Sequence, residues 1–106
     1  MLLEVISAEY LEAYKISCVF NDGYTATVDL EATIFNDHRP IFAPLKHKDY
    51  FKTFTIRWNT ICWDNEADFA PEFLYELCKQ QNQTKFEGSY NVEKAFEESV
   101  PALALG

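Results

Sequence analysis

A chain of 106 residues carries 17 Asp and Glu against 9 Lys and Arg, which gives a formal net charge of -8 at pH 7. This length is that of one ordinary domain, and a hydrophobic fraction of 48% excludes wholesale disorder. Lys and Arg supply most nonspecific affinity for nucleic acid, so the charge disfavours DNA or RNA binding by this domain alone. It favours a basic protein partner, or it serves solubility alone.

The first predicted elements are strands. An apolar run from Leu2 to Ile6 predicts one strand. Tyr14 to Phe20 and Tyr24 to Leu30 alternate apolar and polar residues, which is typical of half-buried strands. Between them lies Asn-Asp-Gly, and a glycine tolerates the positive φ angles of a tight turn. We therefore predict a β-hairpin that turns at Gly23.

The next segment leaves the sheet, because Pro40 and Pro44 cannot lie in a central strand. Pro44 to Phe54 predicts a short helix or 3₁₀ turn near 45–52, opened by a proline and burying Leu45 and Phe51. A second hairpin follows, with its turn at Asn59 and Thr60, since asparagine can supply a left-handed residue. The pattern predicts a shared face for Phe54, Ile56 and Trp58, and another for Ile61 and Trp63.

A helix over 71–81 ends the predicted domain. Pro71 suits a first helical position, and Glu72 in the first turn complements the helix dipole. The residues at helical spacing that predict a buried stripe are Phe73, Leu74, Leu77 and Cys78. The fold class is therefore α+β: a small antiparallel sheet of about five strands, formed by two hairpins and covered by this helix.

The chain then divides into a domain over 1–81 and a C-terminal extension over 82–106. A polar stretch ends at Gly88 and Ser89, and a short amphipathic helix is predicted from Asn91, as its cap, to Glu98. Pro101 stops that helix. If this segment becomes ordered on a partner, its apolar anchors would be Tyr90, Val92, Phe96 and Val100.

The acidic run from Asp64 to Glu72 is the main candidate for chemistry. A calcium loop of the EF-hand type would need glycine and glutamate where Phe69 and Tyr75 stand, so that match fails. A catalytic pair such as Asp64 and Asp68 would need one carboxylate to be buried, whereas acidic residues beside a helix start have a simpler structural role. We expect no metal site, no cofactor and no enzymatic activity.

Two further residue sets have plain structural interpretations. Cys18, Cys62 and Cys78 lack a Cys-x-x-Cys spacing and are expected to be buried hydrophobic residues. Most aromatic side chains should lie in the core, but Trp58 beside a turn is the candidate for an exposed interface anchor. Neither a signal peptide nor a membrane-spanning run is present, so we expect a cytoplasmic protein that does not bind a membrane.

The order of several short motifs resembles a known family. Phe-Asn-Asp-Gly ends one strand, Val-Asp-Leu follows it, and Pro44 to Ile56 leads to the Trp63 to Leu77 segment. This pattern is similar to the bacterial domain-of-unknown-function family 2442 over about residues 2–80. The residues that match its fold signature are Asp22, Gly23, Asp29, Trp63, Asp68, Pro71 and Tyr75.

The resemblance implies a small antiparallel α+β domain, without established enzymatic activity. It also implies a gene beside that of a domain-of-unknown-function 4160 protein, the two forming a toxin–antitoxin-type module. One position departs from the pattern. Glu66 stands where the family usually has glycine, so it must either tolerate a left-handed backbone or form another turn.

The leading functional hypothesis is therefore a non-enzymatic protein-binding domain, the acidic antitoxin-like partner of a small basic protein. A second hypothesis is a small metal- or carboxylate-dependent enzyme that uses Asp64, Asp68 and Glu72. A third is a structural homodimer that pairs through a sheet edge or the final helix.

Overall fold

The computed structural model describes residues 2–88, with side chains as far as Asn82. It has the α+β architecture that the sequence predicts. In chain order the elements are β1 (Val5–Glu12), β2 (Lys15–Phe20), β3 (Thr25–Asp29), α1 (Glu31–Phe35), a 3₁₀ helix (Pro40–Lys46), α2 (Lys48–Phe51), β4 (Thr55–Arg57), β5 (Thr60–Cys62) and α3 (Pro71–Gly88). The helix predicted from Asn91 to Glu98 lies outside the described residues.

The hairpin predicted around Gly23 is confirmed. β2 and β3 pair antiparallel in a regular register from Lys15 opposite Asp29 to Val19 opposite Thr25. Gly23 has a φ of 94° at the turn, which glycine adopts at little cost. Every second residue of β2 is buried, so one face of the sheet packs on the core and the other faces solvent.

The first strand was predicted too early and too short. It spans Val5–Glu12, because β1 continues along β2 until Glu12 lies opposite Lys15. The residues before it are not in the strand, and Asn21 holds them by accepting a bond from the Glu4 N–H at 3.0 Å. The turn between β1 and β2 places Ala13 at a φ of 50°. That turn contains neither glycine nor asparagine, which is why this hairpin gave no sequence signal.

The five strands form two sheets instead of one. The first has the order β1-β2-β3, and β4 and β5 make a separate two-stranded sheet. The prediction for the second turn was wrong by one residue: the turn residues are Trp58 and Asn59, at φ angles of 57° and 65°. Two consecutive left-handed residues define a type I′ turn, and Thr60 belongs to β5. Trp58 therefore lies at the hairpin tip and not on a strand face with Phe54 and Ile56.

The connection between the sheets is more helical than predicted. The short helix α1 follows β3 directly, and the 3₁₀ helix begins at Pro40, with Pro44 inside it instead of opening it. Leu45 and Phe51 are fully buried, as predicted. This segment carries the chain across the core to the second hairpin.

Helix α3 begins at Pro71 as predicted and continues beyond 81 to Gly88. It packs against β3, and Leu74 and Cys78, one turn apart, are buried. Phe73 was wrongly assigned to the buried stripe, since 43% of it is exposed at the flank of the helix. The largest fully buried side chains are Trp63, Phe20, Phe51, Ile16, Leu30, Ile34, Leu45, Ile61, Leu74, Val5 and Val28. Within the described part of the chain, no helix is both long and apolar enough to cross a bilayer.

Candidate interaction surface at the second hairpin

The tip of the β4–β5 hairpin presents Trp58 to solvent. Its side chain is 81% exposed, more than any other large hydrophobic residue within the described part of the chain. The other tryptophan, Trp63, lies at the end of the same hairpin and is fully buried. Its indole N–H donates to the carbonyl of Phe51 at 2.7 Å. The two tryptophans of this short segment therefore have opposite environments.

Two more exposed apolar residues lie on strands that adjoin the hairpin tip. The N–H of Val5 donates to the carbonyl of Asn59 at 2.9 Å, which joins the start of β1 to the hairpin tip. The next residue, Ile6, is exposed, and so is Ile56 on β4. Sequence reasoning missed these two isoleucines, because only the packing of β1 beside β4 and β5 brings them to the same end of the molecule.

Arg57 secures the base of the hairpin. Its Nε donates to Sγ of Cys62 at 3.2 Å, and a terminal nitrogen donates to the carbonyl of Trp63 at 3.2 Å. The hydrogen bond to Cys62 is the largest cause of a raised pKa for Arg57, and the nearby charges of Asp64 and Glu66 add to it. These two hydrogen bonds hold the guanidinium beside β5, in the same cavity lining as Trp58.

The acidic loop after β5 is a tight turn whose geometry explains the family pattern. Glu66 N–H donates to the Trp63 carbonyl at 2.9 Å, and Trp63 N–H donates to the Ala67 carbonyl at 2.9 Å. This is the arrangement of a three-residue loop with one left-handed residue, the position at which glycine is preferred. Glu66 occupies it with a φ of 71°. Of the two alternatives for this residue, glutamate tolerating a left-handed backbone is therefore the one observed.

Behind the turn, Asp68 returns beside β5 and completes a concave site. Asp68 forms an isolated antiparallel bridge with Cys62. A cavity of about 290 Å³ results, lined by Arg57, Trp58, Cys62, Glu66 and Asp68. One wall is aromatic, one is a guanidinium already bonded to neutral acceptors, and one carries two carboxylates.

The acidic residues do not converge on a shared ligand position. Among residues 2–88, no three His, Cys, Asp or Glu side chains lie close enough together to hold a metal ion. Asp64, Glu66, Asp68 and Glu72 are all exposed, and none of them forms an ion pair with another residue whose side chain is described. Asp64, Glu66 and Asp68 therefore carry three negative charges near the single positive charge of Arg57, beside Trp58.

Several fold-signature residues make contacts that connect distant segments. Asp22 accepts from the Tyr24 N–H at 2.9 Å and from the Tyr75 hydroxyl at 2.6 Å, which ties the first hairpin to α3. The Tyr75 hydrogen bond is also the largest cause of the lowered pKa of Asp22. The backbone of Asp29 exchanges two hydrogen bonds with the Gln81 side chain, at 2.8 and 2.9 Å.

The cysteines lie in the core, as expected. Cys18 on β2 and Cys78 on α3 are buried, and burial raises their pKa values to about 12 and about 11. A thiol with so high a pKa is a poor nucleophile at neutral pH. Cys62 is buried as well, against Arg57.

A larger depression on the surface lies elsewhere. It is an open groove of about 780 Å³ at the end of β3, lined by Asp29, Glu31, Ala32, Phe35, Asn36 and Gln81. Two of its polar side chains bond within the chain, since Gln81 bonds the Asp29 backbone and the Asp29 carboxylate accepts from the Glu31 N–H at 3.0 Å. Of the residues predicted to bind a partner, Tyr90, Val92, Phe96 and Val100 lie outside the described residues.

Comparison with known proteins gives two matches. The model of the family described as "Protein of unknown function (DUF2442)" matches residues 5–80. A crystal structure from Nitrosomonas europaea, of a protein named "Putative DNA Binding Protein", superposes with a TM-score of 0.65 at 22% sequence identity. The match covers 77% of this chain and 52% of that protein, so this chain spans about half of its length and shares its fold over that part. No curated protein matches the chain.

Proposed function

Because this chain belongs to the DUF2442 family of proteins of unknown function, we propose a function from its own surface: a non-enzymatic protein-binding domain that contacts a basic partner through Trp58. The exposure of that side chain carries the proposal. Tryptophan is among the residues most enriched at the energetic centres of protein interfaces. A tryptophan that is 81% exposed at a hairpin tip contributes little to folding and is available to a partner.

The surroundings of Trp58 support an interface. Ile6 and Ile56 are exposed at the same end of the molecule, and an apolar centre with a polar rim is the usual anatomy of a protein contact. Asp64, Glu66 and Asp68 supply an acidic rim. Opposite charge on a partner would speed and orient its approach.

The charge of the whole chain also supports a basic partner. At a net charge of -8, the chain attracts cationic surfaces and repels the phosphate backbone of nucleic acid. The Nitrosomonas europaea protein is named for DNA binding, but this chain corresponds to only about half of it. We propose that this chain is the acidic, antitoxin-like member of a toxin–antitoxin-type pair in the cytoplasm, its partner being a small basic protein encoded by an adjacent gene.

Coexpression with the product of the adjacent gene tests the proposal. The tagged chain should retain the untagged neighbour through purification and should suppress any growth inhibition that the neighbour causes. Trp58→Ala should lower the affinity at least tenfold, the loss expected for a central interface tryptophan. The matched control is Phe73→Ala, which removes an exposed aromatic side chain from α3 and should change the affinity less than twofold.

Three results would overturn the proposal. One is independent elution of the two proteins, with growth inhibition unchanged. Another is equal loss of affinity for Trp58→Ala and Phe73→Ala. The third is a homodimer in light scattering that Trp58→Ala converts to a monomer without affecting the neighbour, because the tryptophan would then serve self-association.

A further inference from the structure

We infer that the cavity beside Trp58, lined by Arg57, Trp58, Cys62, Glu66 and Asp68, accepts an arginine side chain of the protein partner. The inference rests on the proposed function and adds the chemistry of one contact to it. The cavity lies directly at the exposed tryptophan, so a partner that covers Trp58 also covers the cavity mouth.

The charge of the cavity selects a cation. Glu66 and Asp68 line it, and Asp64 lies near enough to influence Arg57. The guanidinium of Arg57 supplies one positive charge, against three negative charges on these carboxylates. Two of the five N–H donors of Arg57 already bond Cys62 and the Trp63 carbonyl, which fixes the guanidinium within the chain. An anionic ligand would meet the carboxylates first, whereas a cationic side chain would complete their hydrogen bonding.

The aromatic wall favours arginine over lysine. A planar guanidinium stacks on an indole face and bonds carboxylates through two parallel N–H groups, while an ammonium acts as a compact, strongly hydrated point charge. Trp58 offers such a face at the rim of the cavity. Tryptophan is also the aromatic residue that attracts cations most strongly.

The size of the cavity fits a single side chain. Its volume of about 290 Å³ lies at the lower limit of pockets that enclose small-molecule ligands, roughly 300–1,000 Å³. A long, thin side chain can enter while its backbone remains on the surface around Ile6 and Ile56. The floor, at Cys62, is buried and closed by the bridge to Asp68.

A peptide titration tests the site without the natural partner. The probe is Ac-Gly-Gly-Arg-Gly-Gly-amide, added to the full-length ¹⁵N-labelled chain and followed by NMR. The chain has two tryptophans, so two indole signals are expected. That of Trp58 should shift and saturate together with the amides of Glu66 and Asp68, while that of the buried Trp63 stays in place. The lysine counterpart should bind several-fold more weakly.

A pair of charge-matched double variants isolates the carboxylates. Glu66→Gln with Asp68→Asn should raise the dissociation constant of the arginine peptide at least tenfold. Glu72→Gln with Glu76→Gln removes the same charge from exposed positions on α3 and should change it less than twofold. Equal losses in both double variants would show a general acidic field and overturn the inference, as would equal binding of the lysine peptide or a Trp58 signal that never moves.

The two proposals fail in different ways. If Trp58→Ala releases the protein partner while the Glu66 and Asp68 variant retains it, the arginine inference is wrong and the proposed function stands. If the arginine peptide saturates the Trp58 signal but the partner binds Trp58→Ala normally, the cavity binds arginine and the proposed function is wrong.

Discussion

The hairpin that turns at Gly23 and the hairpin that turns at Trp58 both contain left-handed residues, but they differ in the residue type at the turn and in the burial of their strands. The first places glycine at a φ of 94°, and the Asp22 side chain caps the turn. Its strands bury every second residue of β2. The second places Trp58 and Asn59 at 57° and 65°, and all three residues of β4 are exposed.

The turn of the first hairpin serves the fold, whereas the turn of the second presents an exposed side chain to solvent. In the first, turn chemistry, strand alternation and burial all favour the same structure, which is the mark of a consistently specified element. In the second, a bulky residue adopts a conformation that costs about 1–2 kcal/mol, and its side chain contacts solvent. Strain of this kind is concentrated at functional positions.

The largest expected contrast lies between a core aromatic of the first hairpin and the tryptophan of the second. Phe20→Ala empties a fully buried site and should lower the free energy of unfolding by about 3–5 kcal/mol. Trp58→Ala should change it by less than about 0.5 kcal/mol, because the residue is exposed. Urea unfolding followed by circular dichroism measures both. A loss above 2 kcal/mol for Trp58→Ala would mean that the tip is structural.

Removing glycine from the first turn and introducing it into the second should change the free energy of unfolding in opposite directions. Gly23→Ala meets no atom within 4 Å of the new Cβ, so its cost is conformational alone and should be about 1 kcal/mol. Trp58→Gly should instead stabilise the chain by about 0.5 kcal/mol, since relief of the left-handed strain exceeds the entropy that glycine adds to the unfolded state. Urea unfolding followed by circular dichroism measures both changes in the free energy of unfolding. Destabilisation by Trp58→Gly would mean that the indole makes stabilising contacts despite its exposure.

The fold was predictable in those segments where neighbouring residues in the sequence favour the same structure that packing in the folded chain favours. The Asp-Gly turn, the alternation of β2 and the proline that opens α3 each depend on neighbouring residues alone, and these elements were correctly predicted. The turn at Ala13 has no glycine or asparagine to mark it, so β1 was misplaced. The division into two sheets depends on how β1 approaches β4 and β5, which no local pattern encodes.

The candidate site was predictable only in part. Trp58 was singled out because it lies next to a turn, although it proved to be within the turn. The cavity arises from the Cys62–Asp68 bridge and from the Arg57 hydrogen bonds. Such contacts connect residues whose side chains meet only after the hairpin and the following loop have both formed. A metal site was only an alternative hypothesis for the acidic run, and no sequence pattern predicted that its carboxylates would lie beside an exposed indole.

Another left-handed residue, Glu66, allows a smaller test of the effect of backbone strain. Glu66→Gly should stabilise the chain by about 0.5–1 kcal/mol, because glycine adopts the φ of 71° without strain. Glu66→Gln retains the strain while removing the charge, and it should leave stability nearly unchanged. If both variants stabilise equally, repulsion among the loop carboxylates and not backbone strain would be the cause.

The smallest expected effect concerns how the first hairpin is held to α3. Hydrogen bonds from the Tyr75 hydroxyl and the Tyr24 N–H lower the pKa of Asp22 below its ordinary value of 3.8. A carboxylate whose pKa falls on folding stabilises the native state at pH values above the unfolded pKa, and this contribution is lost as the pH falls through the folded value. Asp22→Asn should therefore destabilise the chain at pH 7 and have progressively less effect below about pH 4.

Urea midpoints of the wild type, Asp22→Asn, Tyr75→Phe and the double variant at pH 7 and pH 2.5 measure this contribution. At pH 7 the double variant should be no less stable than the more affected single variant, because each single change already breaks the same hydrogen bond. At pH 2.5 the loss of stability caused by Asp22→Asn should be smaller than at pH 7. Additive losses at pH 7 would instead mean that Asp22 and the Tyr75 hydroxyl stabilise the fold independently, because Tyr75→Phe keeps the ring contacts with Phe20 and Tyr24. The hydrogen bond between Asp22 and Tyr75 would then make no contribution of its own, and the ring contacts would remain as the link between the first hairpin and α3.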